Sequence, residues 1–142
     1  MDEWQRVYDV VVRYLDGIDD HDFAAVATCF AKDARAAYDG RGEFAGREAI
    51  VAFLTEAHTA PKSSHILGGI RIEIDGDRAT ADAQVVAFLV DGGVARIRGL
   101  RYSDRLERRA GSWQITDRVH SLGWAATAEA EQQATPSDVS GR

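Results

Sequence analysis

At Pro61 the apolar residues of this chain change their period. Before it they recur every three or four positions, the spacing that lays one stripe along an α-helix; after it they recur every second position, the spacing of a strand with one buried face. Helices first and strands after confine the chain to an α+β fold in which a bent sheet closes round the helices to bury both apolar surfaces. With 142 residues there is room for one such core.

In the helical half, Trp4, Val7, Tyr8, Val11, Leu15 and Ile18 form the stripe of a first helix that ends near Gly17. A second helix is expected from Asp22 to Phe30 with Asp20 as its N-cap, and a third from Gly46 to Ala57, which Pro61 prevents from continuing. Between them Ala34 to Tyr38 and the residues round Phe44 read as short strands joined by the turn Asp39-Gly40-Arg41-Gly42. In the other half, Ile66, Ile70, Ile72 and Ile74 alternate as far as the turn Asp75-Gly76-Asp77. Strands from Arg78 to Val90, Val94 to Arg108 and Trp113 to about Leu122 follow in meander order, separated by Asp91-Gly92-Gly93 and Ala110-Gly111-Ser112. One domain over 1–124 is expected. Residues 125–142, rich in Ala, Glu, Gln, Thr, Pro and Ser without an apolar period, are expected to be a disordered tail.

Charge and cysteine content exclude several functions. The 17 Lys and Arg against 23 Asp and Glu leave a net charge of −6, which repels a nucleic-acid backbone or an anionic membrane. The longest apolar run, Val85 to Val90, is far below the ~20 residues that span a bilayer, and the acidic start is no export signal. The lone Cys29 falls on an apolar stripe and can form no internal disulfide, which suits the cytoplasm.

Such a cone has an apolar interior, so the polar groups that point into it carry the functional argument. Tyr14 falls on the buried stripe of the first helix, Asp19 follows that stripe, His65 opens a strand, and Arg118 shares a face of the last strand with Thr116 and His120. Each alone has an ordinary structural explanation: core packing, a helix cap, a hydrogen-bonded strand end. Trp113, Ile115 and Val119 lie on the opposite face of that last strand.

The runs Val12-Arg13-Tyr14-Leu15-Asp16-Gly17-Ile18-Asp19, Ser64-His65-Ile66-Leu67-Gly68-Gly69-Ile70-Arg71-Ile72-Glu73 and Leu106-Glu107-Arg108-Arg109-Ala110-Gly111-Ser112-Trp113-Gln114-Ile115 give the group more weight. Together they resemble the SnoaL-like branch of the nuclear transport factor 2-like superfamily, over nearly the whole chain to about Trp124. The resemblance implies a cone of three helices in a strongly curved, mixed, mainly antiparallel sheet. In motifs it is nearest to the lyases of that branch, of the bile acid dehydratase, lindane dehydrochlorinase and scytalone dehydratase type. Their pattern implies that Asp19, His65 and Arg118 are the catalytic aspartate, histidine and arginine, and that Tyr14 is the tyrosine five residues before the aspartate. Asp82, or Gln84 beside it, is the candidate for a further aspartate of the bile acid type, and Asp82 is preferred. An epoxide-hydrolase site would also need a carboxylate beside Arg118, for which Asp82 is again the candidate.

Chemically, Asp19 would accept a hydrogen bond from one ring nitrogen of His65 and leave the other as a base for a C–H next to a carbonyl or leaving group. Arg118 would stabilise the developing negative charge, with His120 placed to assist or replace it, and Tyr14 would bind the substrate oxygen or leaving hydroxyl. No metal or organic cofactor is required. Inward positions at Val11, Phe30, Phe53, Leu54, Val86 and Phe88 point to an apolar, roughly planar small molecule such as a steroid, terpenoid or polyketide. The expected activity is a cofactor-independent dehydratase, isomerase or cyclase. The alternatives are a noncatalytic ligand-binding domain and an epoxide hydrolase. Assembly as a homodimer or higher homo-oligomer through the sheet, the habit of the family, would use Trp113, Ile115 and Val119.

Overall fold

The computed structural model describes residues 1–131. Helix α1 runs from Glu3 to Asp19, α2 from Phe23 to Thr28 and α3 from Arg47 to Ala57. The strands are β1 (Phe30–Tyr38), β2 (Gly42–Ala45), β3 (Lys62–Asp75), β4 (Arg78–Asp91), β5 (Val94–Arg109) and β6 (Ser112–Glu129). They form one sheet in the order β2-β1-β6-β5-β4-β3, antiparallel except where β1 runs beside β6. The fold is therefore the α+β cone with a curved mixed sheet, and among the described residues no helix is long and apolar enough to cross a membrane.

α1 starts where the Asp2 side chain accepts the Gln5 N–H, and it buries Val7, Val11, Tyr14, Leu15 and Ile18 against the sheet. β4 meets the helices with Ala79, Ala81, Ala83, Val85 and Ala87, all buried, so a stripe of small side chains lets the helical layer sit close. Phe30, Leu54, Leu106 and Ile115 complete the core.

Local pairing moves several boundaries. His21 adopts a left-handed backbone (φ 53°), so α2 begins only at Phe23, with Asp22 rather than Asp20 as its N-cap. Asp20 instead closes α1, where its N–H meets the Asp16 carbonyl. Phe30 belongs to β1 and not to α2, because the Ile115 N–H takes the Cys29 carbonyl and draws the chain into parallel pairing with β6. β6 continues past the expected end of order at Trp124, since Val94 to Gly99 supply hydrogen-bonding partners as far as Glu129. The rest of the expected tail, 132–142, lies outside the described residues.

Two bulges decide which side chains face the helices. Gly68 and Gly69 of β3 stand opposite Gln84 alone, so His65 and Leu67 share the inner face with Ile70 and Ile72, while Ile66 turns outward and is 55% exposed. On β6, Thr116 is the extra residue between the pairs Leu106–Ile115 and Arg105–Asp117. Trp113 and Ile115 are consequently buried before the bulge, and Arg118 is buried after it. Trp113 and Ile115 therefore do not belong to an exposed oligomerisation face; of that trio only Val119 is exposed.

Candidate active site

α1 ends under the start of β3, which brings Asp19 against His65. One carboxylate oxygen of Asp19 lies 2.6 Å from His65 Nδ1 and accepts the Ser63 hydroxyl at 2.8 Å; the other accepts the His65 backbone N–H at 2.7 Å. A carboxylate only accepts, so Nδ1 carries a proton, and in the neutral ring the lone pair is on Nε2. The His65 side chain is 3% exposed and that of Asp19 20%. Burial acts to raise the Asp19 pKa, but the three hydrogen bonds and the facing imidazole outweigh it and hold the carboxyl below its ordinary range. Ser63 carries no signal in the sequence beyond its proximity to His65.

His65 lines an inner cavity of about 80 Å³ together with Tyr38, Phe53, His58, Arg98, Tyr102 and His120, among others. Larger grooves lie on the surface, one of them near Arg6, Arg13 and Arg47, but neither Asp19 nor His65 lines them. His58 donates from Nδ1 to the Leu54 carbonyl at 2.9 Å, and its ring centroid stands 6.0 Å from that of His65. Burial pushes the His58 pKa down against the opposing hydrogen bond to Leu54, and Arg41 acts in the same direction as burial, which favours the neutral ring in the cavity. Sequence position at a helix end gave no hint of this, because the helix end itself forms the cavity wall. Among the described residues, no group of three His, Cys, Asp or Glu side chains converges as a metal site.

Arg118 does not reach the cavity. Its Nε and Nη2 each donate at 2.8 Å to Asp104, Nη1 reaches the Tyr38 hydroxyl at 3.4 Å, and its guanidinium carbon lies 3.9 Å from the ring centre of Tyr14 and 4.4 Å from that of Tyr102. The side chains of Arg118 and Asp104 are 0% and 1% exposed. Burial alone would lower the Arg118 pKa, yet the Asp104 charge and the rings around it keep it fully cationic. Held this way, Arg118 is sealed in the core against Asp104 and is not among the residues that line the cavity, where the expected charge stabiliser would act. Tyr14 is likewise not among the lining residues: its hydroxyl meets that of Tyr38 at 3.0 Å, and burial raises its pKa well above the ordinary phenol value.

Asp82 is exposed on the outer face of β4, because the inner face takes the odd-numbered residues from Ala79 to Leu89. The same parity turns Val86 and Phe88 outward and brings Ala87 and Leu89 to the cavity in their place. The carboxylate beside Arg118 is Asp104, held in the bidentate pair, and not Asp82. Phe53 lines the cavity as expected, stacked on Phe44, whereas Val11, Phe30 and Leu54 are core residues away from its lining.

His120 accepts the Asp39 N–H at Nδ1 and packs against Tyr38 and Tyr102. Burial, then Arg118, pushes its pKa down to about 4. Between that value and the ~6.5 of an unfolded histidine, the unfolded chain binds a proton that the folded one refuses. Stability should therefore fall as the pH drops through this window, and His120→Asn should shrink that loss. Thermal unfolding of both proteins at pH values spanning the window checks this; parallel curves would refute it.

The SnoaL-like domain family model matches residues 2–119. No curated protein matches at a significant level. Among solved structures the chain is similar to a type 2 hexachlorocyclohexane dehydrochlorinase, with a TM-score of 0.82 at 20% identity over 93% of this chain and 93% of that one. It is similar to a protein provisionally assigned as a scytalone dehydratase from Novosphingobium aromaticivorans, with a TM-score of 0.79 at 20% identity over 93% and 90% of the two chains. A protein of unknown function from Mycobacterium tuberculosis is 27% identical with a TM-score of 0.77, over 84% of this chain and 71% of that one. These likenesses establish the fold, and the chemistry rests on the residues.

Proposed function

Since the chain belongs to the SnoaL-like domain family, we propose that it is a cofactor-independent lyase or isomerase of the dehydratase or cyclase type, with His65 as its base. The observation that carries this reading is the Asp19–His65 pair: both carboxylate oxygens accept from one residue, and that residue lines the cavity. Nε2 then takes a proton from carbon and can return it to a departing oxygen, help worth ~10²–10⁴-fold. Two structural relatives have names that denote eliminations, dehydrochlorinase and dehydratase, which begin with such a proton transfer.

The substrate is an apolar, roughly planar molecule of the steroid, terpenoid or polyketide classes. A cavity of about 80 Å³ is small against the ~300–1,000 Å³ of pockets for drug-sized ligands, which favours the compact members of these classes over a full steroid. Phe53, Leu89 and Leu100 supply its apolar contact.

The test is a panel of cyclic β-hydroxy ketones incubated in heavy water enriched in labelled oxygen. The expected result is deuterium at the carbon next to the carbonyl and loss of water without label entering the product. Saturable binding with no exchange would make the protein a noncatalytic binding domain, and opening of a cyclic epoxide to a diol that carries the labelled oxygen, in a parallel assay, would make it a hydrolase.

A further inference from the structure

Proton removal from carbon creates a negative charge that needs a donor, and Arg118 does not line the cavity. Another guanidinium does reach it. Arg98 lines the cavity, and its Nε is buried without a hydrogen-bond partner among the described residues. A buried N–H left unpaired is costly, so such a group marks a place where an acceptor from outside the chain belongs.

Strand register places this donor relative to His65. His65 pairs with Ala87 across β3 and β4, and Ala87 pairs with Arg98 across β4 and β5. Directly paired residues project to the same face, so the two long side chains rise on either side of Ala87, about 9–10 Å apart at their Cα atoms. The methyl group of Ala87 leaves the floor between them open. Asp39 is the one carboxylate among the described cavity-lining residues, where it accepts the Leu122 N–H, and Arg41 is the other guanidinium that lines the cavity. No described acid is paired with Arg98.

We propose that Arg98 binds the oxygen of a substrate carbonyl whose neighbouring carbon gives its proton to His65, so that the substrates are ketones or related neutral carbonyl compounds. The assignment rests on the reading of His65 as the base. Nε2 takes the proton; the C–H electron pair becomes the new C=C bond, and the carbonyl π pair moves onto oxygen, where the Arg98 Nε–H donates to it. When the pair returns to re-form the carbonyl, the C=C electrons expel a hydroxyl from the next carbon, which leaves as water with the proton that His65 held. Return of the proton to a different carbon gives isomerisation instead.

Para-nitrophenolate, a planar anion with its charge on oxygen, serves as the enolate probe, followed by its absorption shift; cyclohexanecarboxylate is the control for simple acid binding. Deuterium uptake by cyclohexanone reports the base independently. Wild type should bind the phenolate saturably, Arg98→Gln should weaken that binding about 10- to 100-fold, and Arg98→Lys should recover part of it, the range expected for one charge-assisted hydrogen bond. His65→Gln should abolish cyclohexanone exchange and leave phenolate affinity within a few-fold. Unchanged melting temperatures of the Arg98 variants exclude misfolding as the cause. Phenolate binding that is absent in the wild type or indifferent to Arg98 overturns the assignment, as does Arg98 dependence for the carboxylate alone. Arg98-dependent phenolate binding without any ketone exchange removes His65 as base and leaves the oxygen site standing.

Discussion

Asp104→Asn is expected to destabilise the protein by about 3–5 kcal/mol, the range for removing one partner of a buried ion pair. For a chain of this size that corresponds to a fall in melting temperature of about 10–15 °C. The cause is asymmetric: Arg118 cannot give up its proton, so without Asp104 its charge stays buried among Tyr14, Phe30 and Tyr102 with one remaining contact to the Tyr38 hydroxyl. Arg118→Met leaves the opposite orphan, a carboxyl that can take up a proton. Its penalty should therefore shrink as the pH falls, while that of Asp104→Asn should not. The double variant Asp104→Leu/Arg118→Met should recover much of the loss, because replacing both charges removes the desolvation cost together with the attraction. Denaturant unfolding of the four proteins near pH 5 and pH 7 decides the matter. If Asp104→Asn melted with the wild type, the pair would be incidental to the core.

The helical half and the meander were readable because their apolar periods are regular, and the hairpin turns carry Asp and Gly where the backbone needs them. Inward direction was less readable. A sequence counts positions in steps of two, but the extra residue at Gly68-Gly69 and the one at Thr116 each reverse the faces beyond them, which is why Ile66 points out and both Ile115 and Arg118 point in. Along β4 no bulge intervenes: apolar residues on both faces from Val85 to Val90 leave the parity of Val86 and Phe88 unmarked, whereas Asp82, in the alternation Thr80-Ala81-Asp82-Ala83-Gln84, was chosen by motif resemblance against a parity that points outward. Asp104 was invisible for another reason: in sequence it stands between Ser103 and Arg105 in a strongly charged run, and only its cross-strand register with Arg118 shows that it is buried. Asp19 and His65, separated by two helices and two strands, were placed together by motif resemblance and not by periodicity. The tail was misjudged as far as Glu129 because a strand exposed on both faces is held by backbone pairing and needs no apolar period.

Asp19→Asn is expected to lower turnover by ~10²–10⁴-fold, nearly as much as removal of the imidazole, because the two groups act as one unit. An amide at this position presents N–H groups as well as an oxygen. If the amide donates to Nδ1, the ring proton moves to Nε2, and the nitrogen that should take the substrate proton is blocked. Asp19 is thus a positioning residue, and the readout that separates positioning from general stability is the ring tautomer, visible in the nitrogen chemical shifts of His65. Stability should change with a defined sign as well. The folded-state pKa of Asp19 is held below the ~3.9 of an unfolded aspartate, so the stabilisation from its charge is fully present above that value and is lost as the pH falls through the lower, folded value. The gap in stability between wild type and Asp19→Asn should accordingly narrow only in acid, while the loss of turnover persists at neutral pH. A variant that kept the wild-type rate and tautomer would show that Asp19 serves to anchor the start of β3 through the Ser63 hydroxyl and the His65 N–H, and the case for His65 as an oriented base would fall with it.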